Sequence, residues 1–452
     1  MSHWYDDALF YHMYPLGALS APLKNDFTQA PVSLLRNLDQ WIPYLQELGI
    51  TALYIGPLFE STSHGYDTRD YFNVDRRLGT NDDLKRFVRL CHTAGIRVVL
   101  DAVFNHVGRD FFAFDDLRKV GWDSRYRSWF HTDFSRQSCH GDRFWYEGWN
   151  GHYSLVKLNL HDPQLRQYIF DVVGYWISEF DIDGMRFDAA DVMDKSFFTA
   201  MHAQCKAVKS DFWLMGEVIH GDYRAWANSD SLDSVTNYEC YKGLWSSHND
   251  KNYFEIAYSL NRQFGEHGIY KGLNLYNFAD NHDVDRVASK LINKAHLYPL
   301  YILLFTMPGI PSLYYGSEWA IEGRKTGGND QPMRPHIDIA SSLATITNAP
   351  LYKEIRRLIN IRKQLEILRR GDYSTLLTAS EQYCFLRQSG KQAAIICVNA
   401  KNEPCNVMIP VRWENGAIFT DILNNNEQYR IENNRLSIQL PSCWGRILIN
   451  KQ

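Results

Sequence analysis

The chain lacks the features that would place it in several large functional classes. Its eight cysteines, Cys91, Cys139, Cys205, Cys240, Cys384, Cys397, Cys405 and Cys443, form no CxxC pair and none stands at zinc-finger spacing from a histidine. This leaves no readable thiol-redox or structural zinc motif, and free, mostly buried thiols are expected. Neither sign of charge is in excess: 48 Lys and Arg against 52 Asp and Glu give a net charge of −4. Nothing in that balance attracts nucleic acid or an anionic membrane surface. No apolar run approaches the roughly 20 residues that span a bilayer. The first seven residues, Met1 to Asp7, show neither the basic start nor the apolar stretch of a signal peptide. A cytoplasmic protein with no nucleic-acid and no membrane partner is expected. Internal repeats and low-complexity linkers are absent too.

What the chain does have is length and aromatic side chains. At 452 residues it can hold one large domain and a smaller one. Aromatic residues make up 14% of it, with 13 Trp and 27 Tyr. Core packing accounts for most of them, although aromatic faces also stack on the C–H faces of sugar rings.

Strand-like and helix-like segments alternate over roughly the first 370 residues. Strands are expected at Ala8–Tyr14, Ala52–Ile55, Arg97–Leu100, Gly184–Asp188, Phe212–Gly216, around Asp233–Thr236, at Leu273–Phe278 and at Ile310–Tyr314. Between the first two, Leu34, Leu35, Leu38, Trp41, Ile42, Leu45 and Leu48 recur at helical spacing, with Gly49 as a stop. Thr80 to Asp83 reads as a capping box, and Asp162 with Pro163 as an N-cap followed by the first helical residue. Eight such strands are the count of a (β/α)8 TIM barrel, an α/β fold. The alternation lapses from about Gly108 to Asp162, a stretch too long for a structureless loop, so an inserted small domain is expected there. After about Arg370, short strands between Asn- and Gly-rich turns predict an all-β domain, a sandwich. The expected division is therefore 1–107 with 161–370 as the barrel, 108–160 as the insertion, and 371–452 as the C-terminal domain.

Four short segments with acidic groups sit at strand ends: Asp101 to His106, Gly184 to Asp188, Gly216 to Val218, and Asn281 to Asp283. In a parallel barrel such ends share one rim, bringing together carboxylates, an Arg and two His suited to cleaving a glycosidic bond. Retaining cleavage of an acetal needs a carboxylate nucleophile and a carboxylic acid roughly 5 Å away.

These segments, with Val156 to Asn159, Glu179 to Gly184, Gly309 to Gly316 and Thr326 to Asp330, resemble the α-amylase superfamily of glycoside hydrolases. Within it, the resemblance is to the cyclomaltodextrinase, neopullulanase and maltogenic amylase branch. It covers essentially the whole chain and implies a role for each strand-end group. Asp188 matches the nucleophile, Glu217 the acid/base and Asp283 the third acid that steadies the transition state. Arg186, two residues before Asp188, points to the same side of the strand. His106 and His282 match histidines around the sugar at the cleavage site, and Tyr66 matches the aromatic platform beneath it. Asp67 is expected to brace that pocket, and Asp330 and Arg334 to hold the next glucose. Asp101 and Asn105 look supportive.

The implied activity is retaining hydrolysis of α-1,4 links in maltooligosaccharides, cyclodextrins or related short α-glucans. A transglycosylase or isomerase with the same site, and a non-catalytic sugar-binding or scaffold protein on the same fold, are the alternatives. No cofactor is required. Calcium is compatible, since Asn105 matches a calcium ligand of other members, but Leu16 to Ala30 carries no acidic calcium loop. Two departures from the branch stand out. The chain starts almost at strand one, so a monomer, or a homodimer formed without an N-terminal domain, is expected. Asp191 and Val192 replace the pairs usually found after the nucleophile, which bears on acceptor choice. Aromatic residues of the insertion, Trp122, Trp129, Trp145, Tyr146, Trp149 and Tyr153, either wall the cleft or form the insertion's own core.

Overall fold

The computed structural model describes residues 3–450. Eight parallel strands form a nearly closed barrel: β1 (Phe10–Met13), β2 (Ala52–Ile55), β3 (Arg97–Ala102), β4 (Gly184–Phe187), β5 (Trp213–Gly216), β6 (Ser234–Val235), β7 (Tyr276–Phe278) and β8 (Ile310–Tyr314). By internal contacts the chain divides into two compact units. One holds 11–236 with 334–340; the other holds 1–10, 237–333 and 341–452.

In the first unit, β1 to β6 lie side by side in chain order. β2, β3, β4 and β5 are buried along almost their whole length, as continuous apolar runs covered on both faces must be. Helices α1 (Trp41–Leu48), α2 (Asn81–Thr93), α3 (Pro163–Phe180) and α4 (Lys195–Val208) alternate with them. The capping box forms as expected: Thr80 Oγ1 accepts from Asp83 N at 3.3 Å, and Asp83 Oδ2 accepts from Thr80 N at 3.2 Å. Asp162 Oδ1 accepts from the amides of Gln164 and Leu165, each at 2.9 Å, and opens α3. The helix expected from Leu34 onward is split. Leu34–Gln40 is a 3₁₀ helix and the α-helix begins at Trp41. Pro43 explains this, because a residue without an N–H is tolerated only in the first turn. Gly49 closes α1 with φ of 96°, a left-handed conformation that costs glycine little.

The stretch 108–160 contains a nine-residue helix, Phe112–Val120, and short strands, of which His152–Lys157 pairs antiparallel with His106–Gly108. Its aromatic residues differ in burial. Trp129 and Tyr146 are buried, whereas Trp122 is 61% exposed.

In the second unit, β7 and β8 pair in parallel, Tyr276 opposite Ile310. Its main helices are α5 (Tyr238–Asn249), α6 (Phe254–Phe264), α7 (Leu297–Thr306) and α8 (Pro350–Gln364). The C-terminal strands are β9 (Asp372–Thr378), β10 (Gln382–Ser389), β11 (Gln392–Asn399), β12 (Cys405–Pro410), β13 (Ile418–Asp421), β14 (Glu427–Arg430), β15 (Arg435–Leu440) and β16 (Trp444–Asn450). Six form an antiparallel sheet in the order β9-β10-β11-β16-β13-β14, and β12 pairs with β15. Ile395, Ile409, Phe419, Ile438 and Leu448 belong to one fully buried core among these strands. The strands β9, β14 and β15 are rich in polar residues and give no long apolar run in the sequence. All eight cysteines are free; Cys139 is exposed and Cys405 half-buried. No helix among the described residues is long and apolar enough to cross a membrane.

Candidate active site

The carboxyl ends of β3, β4 and β5 bring four charged side chains together within the first unit. Register does much of this. Arg186 lies opposite Asp101, and Phe187 opposite Gly216, so Asp188 and Glu217 each come directly after neighbouring strand ends. The Arg186 guanidinium is the hub. Its Nη1 donates to Asp101 Oδ1 at 2.9 Å and to Asp188 Oδ1 at 2.8 Å, while Nη2 stands 2.8 Å from Glu217 Oε2. Exposure decides which acids can meet a ligand: Asp188 and Glu217 each keep 11% of their side-chain surface, Asp101 none. Burial pulls the guanidinium pKa down, but the charges of Asp101 and Glu217, with Tyr54 and Asp188, drive it well above its ordinary value. Arg186 is therefore a fixed positive charge.

Around this hub lies a layer of neutral groups. Asp101 Oδ2 accepts from Tyr54 Oη at 2.8 Å and Tyr66 Oη at 2.9 Å, so Asp101 is saturated and Tyr66 is pinned by its hydroxyl. His106 is buried, with Asn105 Nδ2 3.1 Å from its Nδ1. Its Nε2 has no hydrogen-bond partner among the described residues and faces Asp188 Oδ2 at 3.8 Å. Burial, then His64, lowers its pKa to about 3, so the imidazole is neutral. Trp149, an aromatic residue of the insertion, packs beside it with ring centroids 5.6 Å apart. Asp67 accepts from Ser63 N at 3.0 Å and Ser63 Oγ at 2.6 Å, bracing the loop that carries Tyr66.

Two contributors escape a reading of the sequence. Tyr54 looks there like one more apolar residue of β2. Ala189 looks inert, yet its amide donates to Glu217 Oε2 at 3.1 Å from a backbone with φ of 49°. That left-handed conformation costs a side-chain-bearing residue about 1 kcal/mol, and nothing in the sequence announces it. Asp191 sits against the same group, its amide donating to Glu217 O at 3.2 Å and its Oδ2 accepting from Ile219 N at 3.3 Å.

In the second unit, Asn281, His282 and Asp283 come after β7. Asn281 Oδ1 accepts from Asp283 N at 2.8 Å and Val284 N at 3.2 Å, an Asx turn. His282 Nε2 lies 3.0 Å from Asp283 Oδ2; the histidine side chain is 2% exposed and the aspartate 39%. Asp330 Oδ1 pairs with Lys325 Nζ at 2.8 Å. In the first unit, Arg334 is buried over the Tyr14 ring at 4.4 Å, its Nη1 3.3 Å from Tyr14 Oη. The structure thus gathers Tyr66, His106, Arg186, Asp188 and Glu217 in one cluster and His282 with Asp283 in another. Asp67, Asp330 and Arg334 have partners of their own.

Among the described residues no group of three or more His, Cys, Asp or Glu is arranged to hold a metal. Asn105, the residue matching a calcium ligand, binds His106 through its side chain and accepts Leu158 N at 3.0 Å with its carbonyl.

A parallel barrel whose strand ends gather carboxylates about one arginine is the arrangement of a glycoside hydrolase. The comparisons make the class particular. Residues 34–342 match the alpha-amylase catalytic domain. The chain is 34% identical over 425 residues to a cyclomaltodextrinase of Geobacillus thermopakistaniensis, spanning 92% of this chain and 69% of that protein. It is 29% identical over 424 residues to a maltogenic alpha-amylase of Bacillus acidopullulyticus, spanning 92% and 70%. Among solved structures it matches the cyclic alpha-maltosyl-(1→6)-maltose hydrolase of Arthrobacter globiformis over 100% of both chains, with a TM-score of 0.82 and 25% identity. The chain belongs to the alpha-amylase family of glycoside hydrolases.

Proposed function

We propose that this protein is a retaining α-glucan hydrolase that cleaves α-1,4 links in short linear or cyclic maltooligosaccharides through a covalent glycosyl-Asp188 intermediate. The single observation that carries the reading is the Arg186 hub. One buried guanidinium holds both accessible carboxyls, which suits the roughly 5 Å spacing of a retaining pair.

On this reading Asp188 attacks the anomeric carbon, and Arg186 keeps its charged face toward that carboxylate. Glu217, whose Oε2 is held by Arg186 and by the Ala189 amide, is assigned to pass a proton to the leaving glycosidic oxygen. The same carboxylate later takes a proton from the attacking water. Neutral His106 offers its Nε2 face to a sugar hydroxyl without adding a like charge beside Arg186. Asp283 is assigned as the third acid and His282 as its hydroxyl-binding neighbour. Tyr66 serves as the platform, and Asp330 and Arg334 as the contacts for the next glucose. Asp67 holds the platform loop. The barrel at 1–107 and 161–370 carries the chemistry, 108–160 walls the cleft through Trp149, and 371–452 is the C-terminal β-sandwich domain. A cytoplasmic location, which fits short imported substrates, is supported by 30% identity over 335 residues to an intracellular maltogenic amylase of Bacillus subtilis.

Transfer to a sugar acceptor is the second reading. It is favoured by exposed apolar residues flanking Asp191 and Glu217: Val192 is 52% and Ile219 41% exposed. Such a surface suits a sugar ring better than water alone.

Product analysis tests both readings. Incubation with linear and cyclic glucans should release α-anomers first, and a β-anomer as first product refutes retention. At high substrate, products longer than the substrate reveal transfer. The variant Glu217→Gln should abolish turnover while still binding glucan; full activity in it removes the assignment.

A further inference from the structure

Tyr14 stands directly after β1 and is buried, and its hydroxyl joins two segments that lie far apart in the chain. Tyr14 Oη donates to His64 O at 2.7 Å and accepts from Arg334 Nη1 at 3.3 Å. A phenol has a single proton. With that proton given to the carbonyl, the hydroxyl can only accept from the guanidinium, so the polarity of the link is fixed. The Arg334 guanidinium also lies over the Tyr14 ring, 4.4 Å from its centroid, a cation–π contact. All three residues belong to the first unit.

Both ends of this link are docked. On one side, the Arg334 segment lies on the short helix Pro15–Ala18. A Cβ at Gly17 would stand 2.2 Å from Arg334 O and 3.0 Å from Arg334 Cβ, so only glycine admits the approach. His336 Nδ1 stands 2.7 Å from Ala18 O. On the other side, His64 passes the link on. Its Nδ1 accepts from Tyr66 N at 3.3 Å, and Tyr66 Oη donates to Asp101 Oδ2 at 2.9 Å. Gly65 between them has φ of 89°, and a Cβ there would stand 2.5 Å from Pro57 Cγ. A chain of contacts therefore runs from Arg334 through Tyr14, His64 and Tyr66 to Asp101.

We infer that the Tyr14 hydroxyl is a positioning group that couples the guanidinium assigned to the next glucose with the platform assigned to the glucose at the cleavage site. The inference rests on the roles proposed above for Arg334 and Tyr66. A sugar that draws on Arg334 sets Tyr14, Tyr14 sets the His64 carbonyl, and the loop bearing Tyr66 is held in the geometry that the reaction needs. Coupling of this kind is reciprocal, so a ring on the platform also steadies Arg334. Binding energy from the second glucose is then used to align the first, which shows in kcat more than in KM. A phenylalanine at this position keeps the ring and its packing and breaks only the link.

The test is a double-mutant cycle in the full-length protein, read on p-nitrophenyl α-maltoside, which supplies a sugar for both positions. Tyr14→Phe should lower kcat about fivefold, the size of one hydrogen bond, and leave KM within about twofold. Arg334→Ala should lower kcat/KM about tenfold or more. Added to Arg334→Ala, Tyr14→Phe should change kcat by less than about twofold. Gly17→Ala drives the Arg334 backbone away with Tyr14 intact, so it should reproduce the kcat loss and leave little for Tyr14→Phe to add. Tyr146→Phe is the comparison, because its hydroxyl also joins an arginine, Arg109, to a carbonyl, Tyr153 O at 2.7 Å, within the insertion. Its effect should be the same in both backgrounds. An equal fold loss from Tyr14→Phe with and without Arg334, or a loss confined to Tm, overturns the inference. An unchanged kcat/KM in Arg334→Ala overturns the role assigned to Arg334 and the link with it. No turnover of any glucan by the unaltered protein overturns the function proposed above.

Discussion

Replacing Arg186 with Lys tests the hub directly. Arginine reaches three carboxylates because its two terminal nitrogens point along different edges: Nη1 serves Asp101 and Asp188, Nη2 serves Glu217. Lysine keeps the charge but gathers its donors at one point, so it cannot span both edges. Removing a partner from a buried pair costs about 3–5 kcal/mol. With the charge retained, the lower end, about 3 kcal/mol, is expected. An unfolding entropy of about 2.1 cal/mol/K per residue makes this roughly a 3 °C fall in Tm for a chain of this length. The catalytic loss should be larger in proportion. Releasing Glu217 and loosening Asp188 removes a preorganised donor, a change that lowers kcat by about 10²–10³-fold. Scanning calorimetry and steady-state kinetics measure both. Asp183→Asn is the control, since Asp183 stands at the opposite end of β4, fully buried and held by His92 at 2.7 Å and by Arg97 and Lys209 at 2.9 Å. It should lower Tm by as much or more and leave kcat/KM nearly unchanged. If Arg186→Lys keeps kcat within tenfold, or Asp183→Asn loses as much activity, the hub does not serve the chemistry.

Three other outcomes rest on local geometry. The imidazole of His106 should stay neutral in nitrogen chemical shifts down to about pH 4, since burial and His64 lower its pKa to about 3; a transition near 6.5 contradicts the site as described. Because the folded value lies below the unfolded one, His106 contributes stability that is full above about pH 6.5 and is lost as pH falls toward 3, a slope that His106→Gln should reduce in denaturation curves. The substitution Gly184→Ala should cost about 2–3 kcal/mol in denaturant titration, because a Cβ there would stand 2.6 Å from the Trp213 carbonyl oxygen; an unchanged midpoint would mean β4 and β5 are looser than described. Truncating Ile438 in the C-terminal core should cost about 2–5 kcal/mol while sparing kcat on short substrates, and a parallel loss of kcat would tie that core to the chemistry.

The barrel was legible because parallel strands covered on both faces must be apolar throughout, and the caps at Thr80, Asp162 and Gly49 mark helix ends by local hydrogen bonding alone. The acids at the strand ends were legible because several stand in order after successive strand-like runs; one alone would read as a structural acid. The strands β9, β14 and β15 were not, because half their residues face water and the alternation dissolves into turn-like composition. The contribution of Ala189 depends on a backbone angle, and that of Tyr54 on which strand stands next to it. Neither is encoded in a spacing. The same holds for Lys325, which pairs with Asp330 across a turn.

Charge accounting within the first cluster gives the proposed reaction its direction. Asp101, Asp188 and Glu217 share one guanidinium, so with all three ionised the cluster is doubly negative. Asp101 is saturated by Arg186, Tyr54 and Tyr66, and its charge is a fixed background that no ligand can reach. The two acids that a sugar can reach are also the two that change charge in the reaction. Protonating Glu217 before cleavage halves the excess, and the remaining negative charge lies beside the carbon where positive charge develops in an oxocarbenium-like transition state. Attack by Asp188 then neutralises its carboxylate as Glu217 regains its charge, so the cluster never changes by more than one unit in a step. A positively charged histidine at position 106 would upset this balance 3.8 Å from Asp188, and burying that ring until it stays neutral prevents it. The acids alone would suit many chemistries. The single shared guanidinium and the neutral shell around it are the features on which the proposed cleavage draws.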